Sequence, residues 1–284
     1  MKKQRKLVGT IALVFAVLCL CPSGEAQTVK TPAWLSWLGD GTTSYSCSSG
    51  TCNLTGELWF TSFTVSSGAT VVNKSGNAPL VIRATGACTI QGTVSGSPNS
   101  GSAGISGNGD FGGGSGGGGG GTAAGMNGKN TVVDPGVPIV NGGAGGAAGG
   151  GAGHSAISVN QGQYRMLLST GSPYPGGGAS GGQGGSNGGA GGNGGTPVIF
   201  ICSSINFTGT IDVSGGAGGN APGINTGAGG GGGGGYAILA AESYTSKSGT
   251  IKSNGGSGGS CNGLSDCGAG GAGGNGFSIF MNIE

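Results

Sequence analysis

Charged side chains are scarce in this sequence. Asp, Glu, Lys and Arg together make up 7% of the 284 residues, and the formal net charge at pH 7 is +2. Nucleic-acid binding requires a clustered basic stripe, whereas the basic residues here are scattered. The sequence therefore predicts no nucleic-acid partner, and solubility must come from the backbone and from Ser, Thr and Asn side chains.

Groups for acid–base and metal chemistry are also few. The carboxylates beyond residue 26 are isolated along the sequence, with no recognisable acid/base pair. His154 is the one histidine, and no Cys-x-x-Cys pair is present. We therefore expect no catalytic residue, no cofactor, no metal site and no enzymatic activity. One enzymatic alternative stays open, a carbohydrate-active β-helix, because Asp212 and Glu242 could meet one repeat apart.

No apolar run reaches the length of about 20 residues that a membrane span needs. The longest such run, Leu7–Cys21, follows basic residues and precedes small ones. This pattern is typical of a cleaved secretory signal, here residues 1–26. We expect a mature chain without a membrane span, secreted to the extracellular space or held at the cell surface, and the lysine-rich start resembles that of bacterial proteins.

Six cysteines follow the signal segment. An even number in an exported chain predicts disulfides. The spacing favours two short loops and one long-range pair, although other pairings stay open: Cys47–Cys52, Cys261–Cys267 and Cys88–Cys202.

Glycine, in contrast, is abundant, with 76 residues. It is concentrated in five tracts, Gly101–Gly121, Gly136–Gly153, Gly176–Gly195, Gly215–Gly235 and Gly255–Gly276. Much of the third tract reads as triplets with glycine at two of three positions, which is the period of a polyproline II-type helix. Two faces of such a helix carry no Cβ, so neighbouring chains can pair laterally through their backbones. The alternative is a set of flexible, disordered linkers.

The segments between the tracts contain a second repeat. Stretches that begin at Val81, Val198 and Ile238 each reach a Gly-Thr pair at the same distance and are rich in β-branched residues. Each is predicted to form two short strands joined by a turn. Trp59–Val72 is an earlier, degenerate copy. Since a strand pair cannot bury its apolar face alone, the copies should stack.

The predicted fold is therefore all-β. It is a short parallel β-solenoid of stacked two-strand repeats, whose glycine-rich excursions are bundled as polyglycine II helices. The expected organisation is a signal peptide at 1–26, an N-terminal cap with a local disulfide at 27–56, and the repeat and glycine domain at 57–284.

The N-terminal end and one interruption between the glycine tracts allow two interpretations each. Trp34 and Trp37 either cover the first repeat or form an aromatic platform for a sugar or a membrane, and covering is favoured. Ser155–Tyr174 is either another repeat, which is favoured, or an exposed loop. Phe277–Glu284 alternates as a last strand does.

The glycine tracts resemble the polyglycine II bundles of snow-flea-type antifreeze proteins and of the receptor-binding adhesins at the tips of some phage long tail fibres. They also look like the glycine-rich regions of mycobacterial PE-PGRS surface proteins. The likeness covers the glycine tracts, less than half of the chain. It implies a rigid exported scaffold that presents flat faces or loops.

Two functional hypotheses follow besides the enzymatic one. The first is a secreted or cell-surface structural and adhesive scaffold without catalytic activity. Its expected partners are cell-surface or matrix glycans or proteins, together with self-association through open strand edges. The second is an ice-binding protein that uses a flat, regular face of Thr, Ser, Asn and Ala.

Overall fold

The computed structural model describes residues 38, 40–74, 79–96, 188–224, 226–262 and 267–283. Within these ranges the chain forms twelve strands. They are β1 (Ser44–Cys47), β2 (Thr51–Leu54), β3 (Glu57–Phe60), β4 (Ser62–Val65), β5 (Thr70–Asn73), β6 (Leu80–Ile90), β7 (Thr93–Ser95), β8 (Val198–Phe207), β9 (Thr210–Asp212), β10 (Tyr236–Lys247), β11 (Thr250–Lys252) and β12 (Phe277–Asn282).

The strands form two parallel sheets. The larger has the order β1-β4-β6-β8-β10-β12, with β3 pairing β6, and the smaller has the order β11-β9-β7-β5-β2. A strand of the larger sheet, a turn and the next strand of the smaller sheet make one rung. Five rungs are described, β1–β2, β4–β5, β6–β7, β8–β9 and β10–β11. The prediction of an all-β fold built from stacked, solenoid-like repeats is confirmed.

The repeats differ in detail from the two short strands that the sequence predicted. In each of the last three rungs the first strand is long, 10 to 12 residues, and the second has 3 residues. The register between the long strands shifts along their length, for example between Ala84 and Ala87. The degenerate copy is a rung of the same kind, and β1–β2 stacks against it as a further rung.

The repeated glycine of the turn has a steric cause. A Cβ built on Gly92 would overlap the carbonyl oxygen of Ala69, and a Cβ on Gly209 would overlap that of Gly92. The rungs stack so closely here that a side chain has no room, because strands in a sheet lie about 4.8 Å apart. Stacking thus explains why the Gly-Thr pair recurs.

The interior between the two sheets is apolar and is built as columns, with one residue from each rung. One column consists of Cys47, Val65, Ile90 and Phe207, all buried. The neighbours of these residues in each strand have their side chains on the opposite face of the sheet, because side chains alternate along a strand. In the first halves of β6, β8 and β10 both faces are buried, and a second apolar cluster including Val81, Ile199 and Ile238 lies there.

Candidate functional surfaces

Five glycine-rich segments lie beside one another at one edge of the rungs. They are segment 1 (188–197), segment 2 (213–222), segment 3 (226–235), segment 4 (253–262) and segment 5 (267–276). Backbone hydrogen bonds join them laterally, and successive donors are three residues apart. From segment 1 to segment 3, for example, the N–H groups of Gly189, Gly192 and Gly195 donate to carbonyl oxygens over 2.8, 2.8 and 2.9 Å. We call this set the glycine bundle.

The bundle has two rows of opposite chain direction. Segments 1, 3 and 5 run parallel to one another, segments 2 and 4 form the other row, and bonds between the rows join antiparallel neighbours. Segment 3 exchanges hydrogen bonds with all four other segments. Its residues 227–235 are buried throughout, and seven of them in succession, Gly229–Gly235, are glycine.

Steric space explains this composition. A Cβ built on Gly229, Gly231, Gly232 or Gly234 would overlap a backbone carbonyl of a neighbouring segment. Segments at the margin have one free face, and there every third residue carries a small side chain. These exposed residues are Ala217, Asn220, Asn254, Ser257, Ser260, Ala269, Ala272 and Asn275.

Two of the marginal asparagines bind the backbone of an adjacent segment. The Asn275 side-chain oxygen accepts the N–H of Gly255 over 3.0 Å, and that of Asn220 accepts the N–H of Ser260 over 2.9 Å. At the margin, an asparagine side-chain oxygen thus accepts the kind of backbone N–H that a carbonyl oxygen accepts inside the bundle. Donors that would otherwise rely on water are satisfied at the margin.

A straight column of threonines crosses the smaller sheet. Each of its five strands begins with threonine, and the register places these residues side by side: Thr51, Thr70, Thr93, Thr210 and Thr250. All are exposed or half-buried. The next residue along each strand faces the interior, so the threonines face outward with a repeat of about 4.8 Å.

The three predicted disulfides are confirmed. Cys47–Cys52 and Cys261–Cys267 close loops with sequence separations of 5 and 6, whereas Cys88–Cys202 has a separation of 114. Both Cys88 and Cys202 are buried, and their bond joins β6 to β8. It therefore joins two neighbouring strands of the larger sheet that are far apart in the sequence.

One aromatic cluster closes the interior beside the last rung. The Tyr244 hydroxyl lies 2.6 and 2.7 Å from the carbonyl oxygens of Leu239 and Met281, and it accepts the N–H of Met281 over 3.1 Å. Burial raises the pKa of Tyr244 to about 12, against the opposing effect of its backbone hydrogen bonds. The phenol is therefore neutral at physiological pH and keeps the proton with which it donates a hydrogen bond to a backbone carbonyl oxygen.

On the outer face of β3, Glu57 pairs with the guanidinium of Arg83, and Trp59 stands opposite Arg83 in the register. Trp59 is 46% exposed. No sequence motif marks this aromatic residue as functional, although it begins the degenerate repeat.

Several predicted features lie outside the described residues. These are the signal segment, Trp34, Trp37, His154, Ser155–Tyr174, the first two glycine tracts and the first part of the third. Asp212 and Glu242 are described, but they belong to different sheets, and Asp212 stands beside Lys252 of β11. Among the described residues no three His, Cys, Asp or Glu side chains cluster as metal ligands would.

Comparison with known proteins adds no relative. No family model and no curated protein matches the sequence, and no solved structure matches the fold. In the described part of the chain no helix is long and apolar enough to cross a membrane.

Proposed function

We propose that the protein is a secreted or cell-surface structural scaffold with an adhesive role and no catalytic activity, and that its glycine segments are polyglycine II helices. The observation that carries this proposal is the three-residue step of the lateral hydrogen bonds around segment 3. Three residues per turn and bonding between chains are what such helices require. A segment of ten residues then spans about 30 Å at about 3.1 Å per residue.

The stiffness of this scaffold rests on the hydrogen bonds and on its attachment to the rungs. Each bond contributes only about 1 kcal/mol, and glycine loses more backbone entropy on ordering than any other residue. The attachment points are fixed, because each of the five segments directly precedes or follows a strand of the solenoid. The solenoid and its disulfides thus offset part of the ordering cost.

Hydrogen exchange on the mature chain tests the bundle. We expect amides of segment 3 to exchange at least about 100-fold more slowly than a random chain, because opening them breaks bonds to four neighbours. The amide of Ile224, a residue that is 63% exposed at the tip of the excursion, is the internal control. Exchange of segment 3 at the random-chain rate would mean that the glycine segments are flexible tethers.

The adhesive role needs a separate measurement. Beads coated with the mature protein should bind cells or matrix glycans more strongly than beads coated with an unrelated protein of the same charge. If they do not, the protein is a scaffold without adhesive function, and the result of the exchange experiment is unaffected.

Ice binding is the second candidate, and the threonine column favours it. A flat array of hydroxyl and methyl groups at one fixed repeat can match an ordered water lattice, whereas an irregular surface cannot. The column extends over all five strands of the smaller sheet.

Thermal hysteresis of the purified mature protein tests this candidate. We expect wild-type protein to lower the freezing point below the melting point, and replacement of both Thr93 and Thr210 by Tyr to abolish the effect by interrupting the flat array. Thr61→Tyr, at an exposed threonine outside the column, is the matched control. Ice binding is excluded if wild-type protein shows neither hysteresis nor crystal shaping.

A further inference from the structure

Trp59 ends a row of residues on the outer face of the larger sheet. The register aligns it with one residue from each following strand of that sheet: Arg83, Ile201, Ala240 and Met281. These four residues are 0 to 5% exposed, whereas Trp59 is 46% exposed. On its other side the chain lies against β3 at Gly41, where a Cβ would overlap the backbone of Phe60. Gly41 has no side chain to cover the indole ring, which is therefore accessible from solvent.

An ion pair lies beside this ring. Glu57 precedes Trp59 by two residues in β3, so the two side chains share one face, with their Cα atoms about 7 Å apart. Glu57 pairs with the guanidinium of Arg83, the residue opposite Trp59. The Arg83 side chain is 6% exposed and that of Glu57 is 29% exposed. Arg83 therefore holds the carboxylate in place, while a hydroxyl group of a ligand can still approach that carboxylate from solvent.

The surroundings of Trp59 fit a sugar better than a protein surface. Among the described residues the exposed large hydrophobic side chains are those of Trp59 and Ile224, and Ile224 lies at the tip of an excursion. A protein–protein interface of ordinary size buries about 800 Å² on each side around an apolar centre, which one indole ring cannot supply. A pyranose needs one aromatic face for its C–H groups and a few fixed polar groups for its hydroxyls.

We propose that Trp59 and Glu57 bind a neutral glycan. One pyranose ring stacks on the indole of Trp59, and one of its hydroxyl groups donates a hydrogen bond to the carboxylate of Glu57, which Arg83 orients. The charges of Glu57 and Arg83 cancel, so the site has no excess positive charge with which to select an anionic sugar. This inference rests on the proposed adhesive role, and it names the ligand class and the residues that would contact the ligand.

Binding measurements on the mature protein test the proposal. Isothermal titration calorimetry and ligand-observed NMR are carried out with neutral hexasaccharides of glucose, mannose, galactose or N-acetylglucosamine, and with a uronic acid hexasaccharide as the anionic probe. We expect wild-type protein to bind at least one neutral hexasaccharide, and Trp59→Ala to weaken that binding by about tenfold or more, because the stacking surface is lost.

Two further variants control for other effects of the substitution. Ile224→Ala removes the other exposed large hydrophobic side chain and should leave the affinity unchanged. Trp59→Leu keeps an apolar side chain beside Arg83 but has no ring, so it should weaken binding as Trp59→Ala does and serves if the alanine variant fails to fold. The proposal is overturned if no neutral hexasaccharide binds, if the uronic acid probe alone binds, or if Ile224→Ala weakens binding as much as the Trp59 variants.

Beads coated with Trp59→Ala protein distinguish this site from the adhesive role itself. If wild-type and variant beads bind cells or matrix glycans equally well, the adhesive role stands and the site is wrong. If wild-type beads do not adhere but a neutral hexasaccharide binds through Trp59, the site stands and the adhesive role is wrong. Adhesion that is lost in Trp59→Ala while no hexasaccharide binds would identify a protein partner and overturn the glycan proposal.

Discussion

Replacement of both Cys88 and Cys202 by alanine should lower the free energy of unfolding by about 4 to 5 kcal/mol. The bond closes a loop with a sequence separation of 114, and the entropy removed from the unfolded chain grows with loop length. The bond also fixes the relative position of β6 and β8, the central pair of the larger sheet. The midpoint and slope of urea unfolding give the measurement.

The Cys261–Cys267 pair is the matched control. Its sequence separation is 6, so the same reasoning predicts a loss of about 2 kcal/mol on double replacement by alanine. Equal losses for the two pairs would contradict the loop-length argument. A loss for Cys88 and Cys202 of less than about 1 kcal/mol would show that the unfolded chain already holds these strands together.

Gly232→Ala is the second substitution with a large expected effect. Gly232 donates its N–H to Gly216 over 2.9 Å and accepts that of Gly256 over 2.7 Å. An added methyl group would overlap the carbonyl of Asn193, which itself accepts the N–H of Gly216. The atoms around Gly232 belong to backbone, which cannot move aside as a flexible side chain could. Strain of about 1 to 3 kcal/mol therefore adds to the loss of several hydrogen bonds. We expect destabilisation of about 3 kcal/mol or more.

Hydrogen exchange shows whether the Gly232→Ala substitution destabilises the glycine bundle alone or the whole fold. In Gly232→Ala the amides of segments 2, 3 and 4 should lose protection, while those of β6 and β8 keep most of theirs. Gly223→Ala is the control, because a Cβ at Gly223 meets no atom within 4 Å, and its effect should stay within about 0.5 kcal/mol. Unchanged protection of segment 3 in Gly232→Ala would be incompatible with the close backbone packing described above.

The sequence predicted the features that repeat. The segments starting at Val81, Val198 and Ile238 indicated the stacked strands, because they share a local pattern. The short cysteine spacings indicated two of the disulfides, and Cys88 and Cys202 remained as the third pair. The threonine column had a signal as well, since Gly-Thr recurs at the start of β7, β9 and β11. Its alignment became evident only from the register of the strands.

Other features depend on contacts that no local pattern records. Lys247 stands in an ordinary polar stretch of sequence, and only stacking shows that it continues the column of Phe207. The first strand of each repeat is longer than predicted, because it continues through the register shift near Ala87, where the alternation is interrupted. The central position of segment 3 follows from its seven successive glycines once neighbours on every side are known.

The two-row arrangement of the glycine bundle sets a rule for changes in its length. In the two excursions whose limbs are both described, segments 2–3 and segments 4–5, the outward and returning limbs are bonded in steps of three. Adding one residue to one limb would shift every later donor away from its acceptor. Adding one Gly-Gly-x triplet to each limb would preserve these pairings, so an excursion can be lengthened or shortened by whole triplets without altering the solenoid.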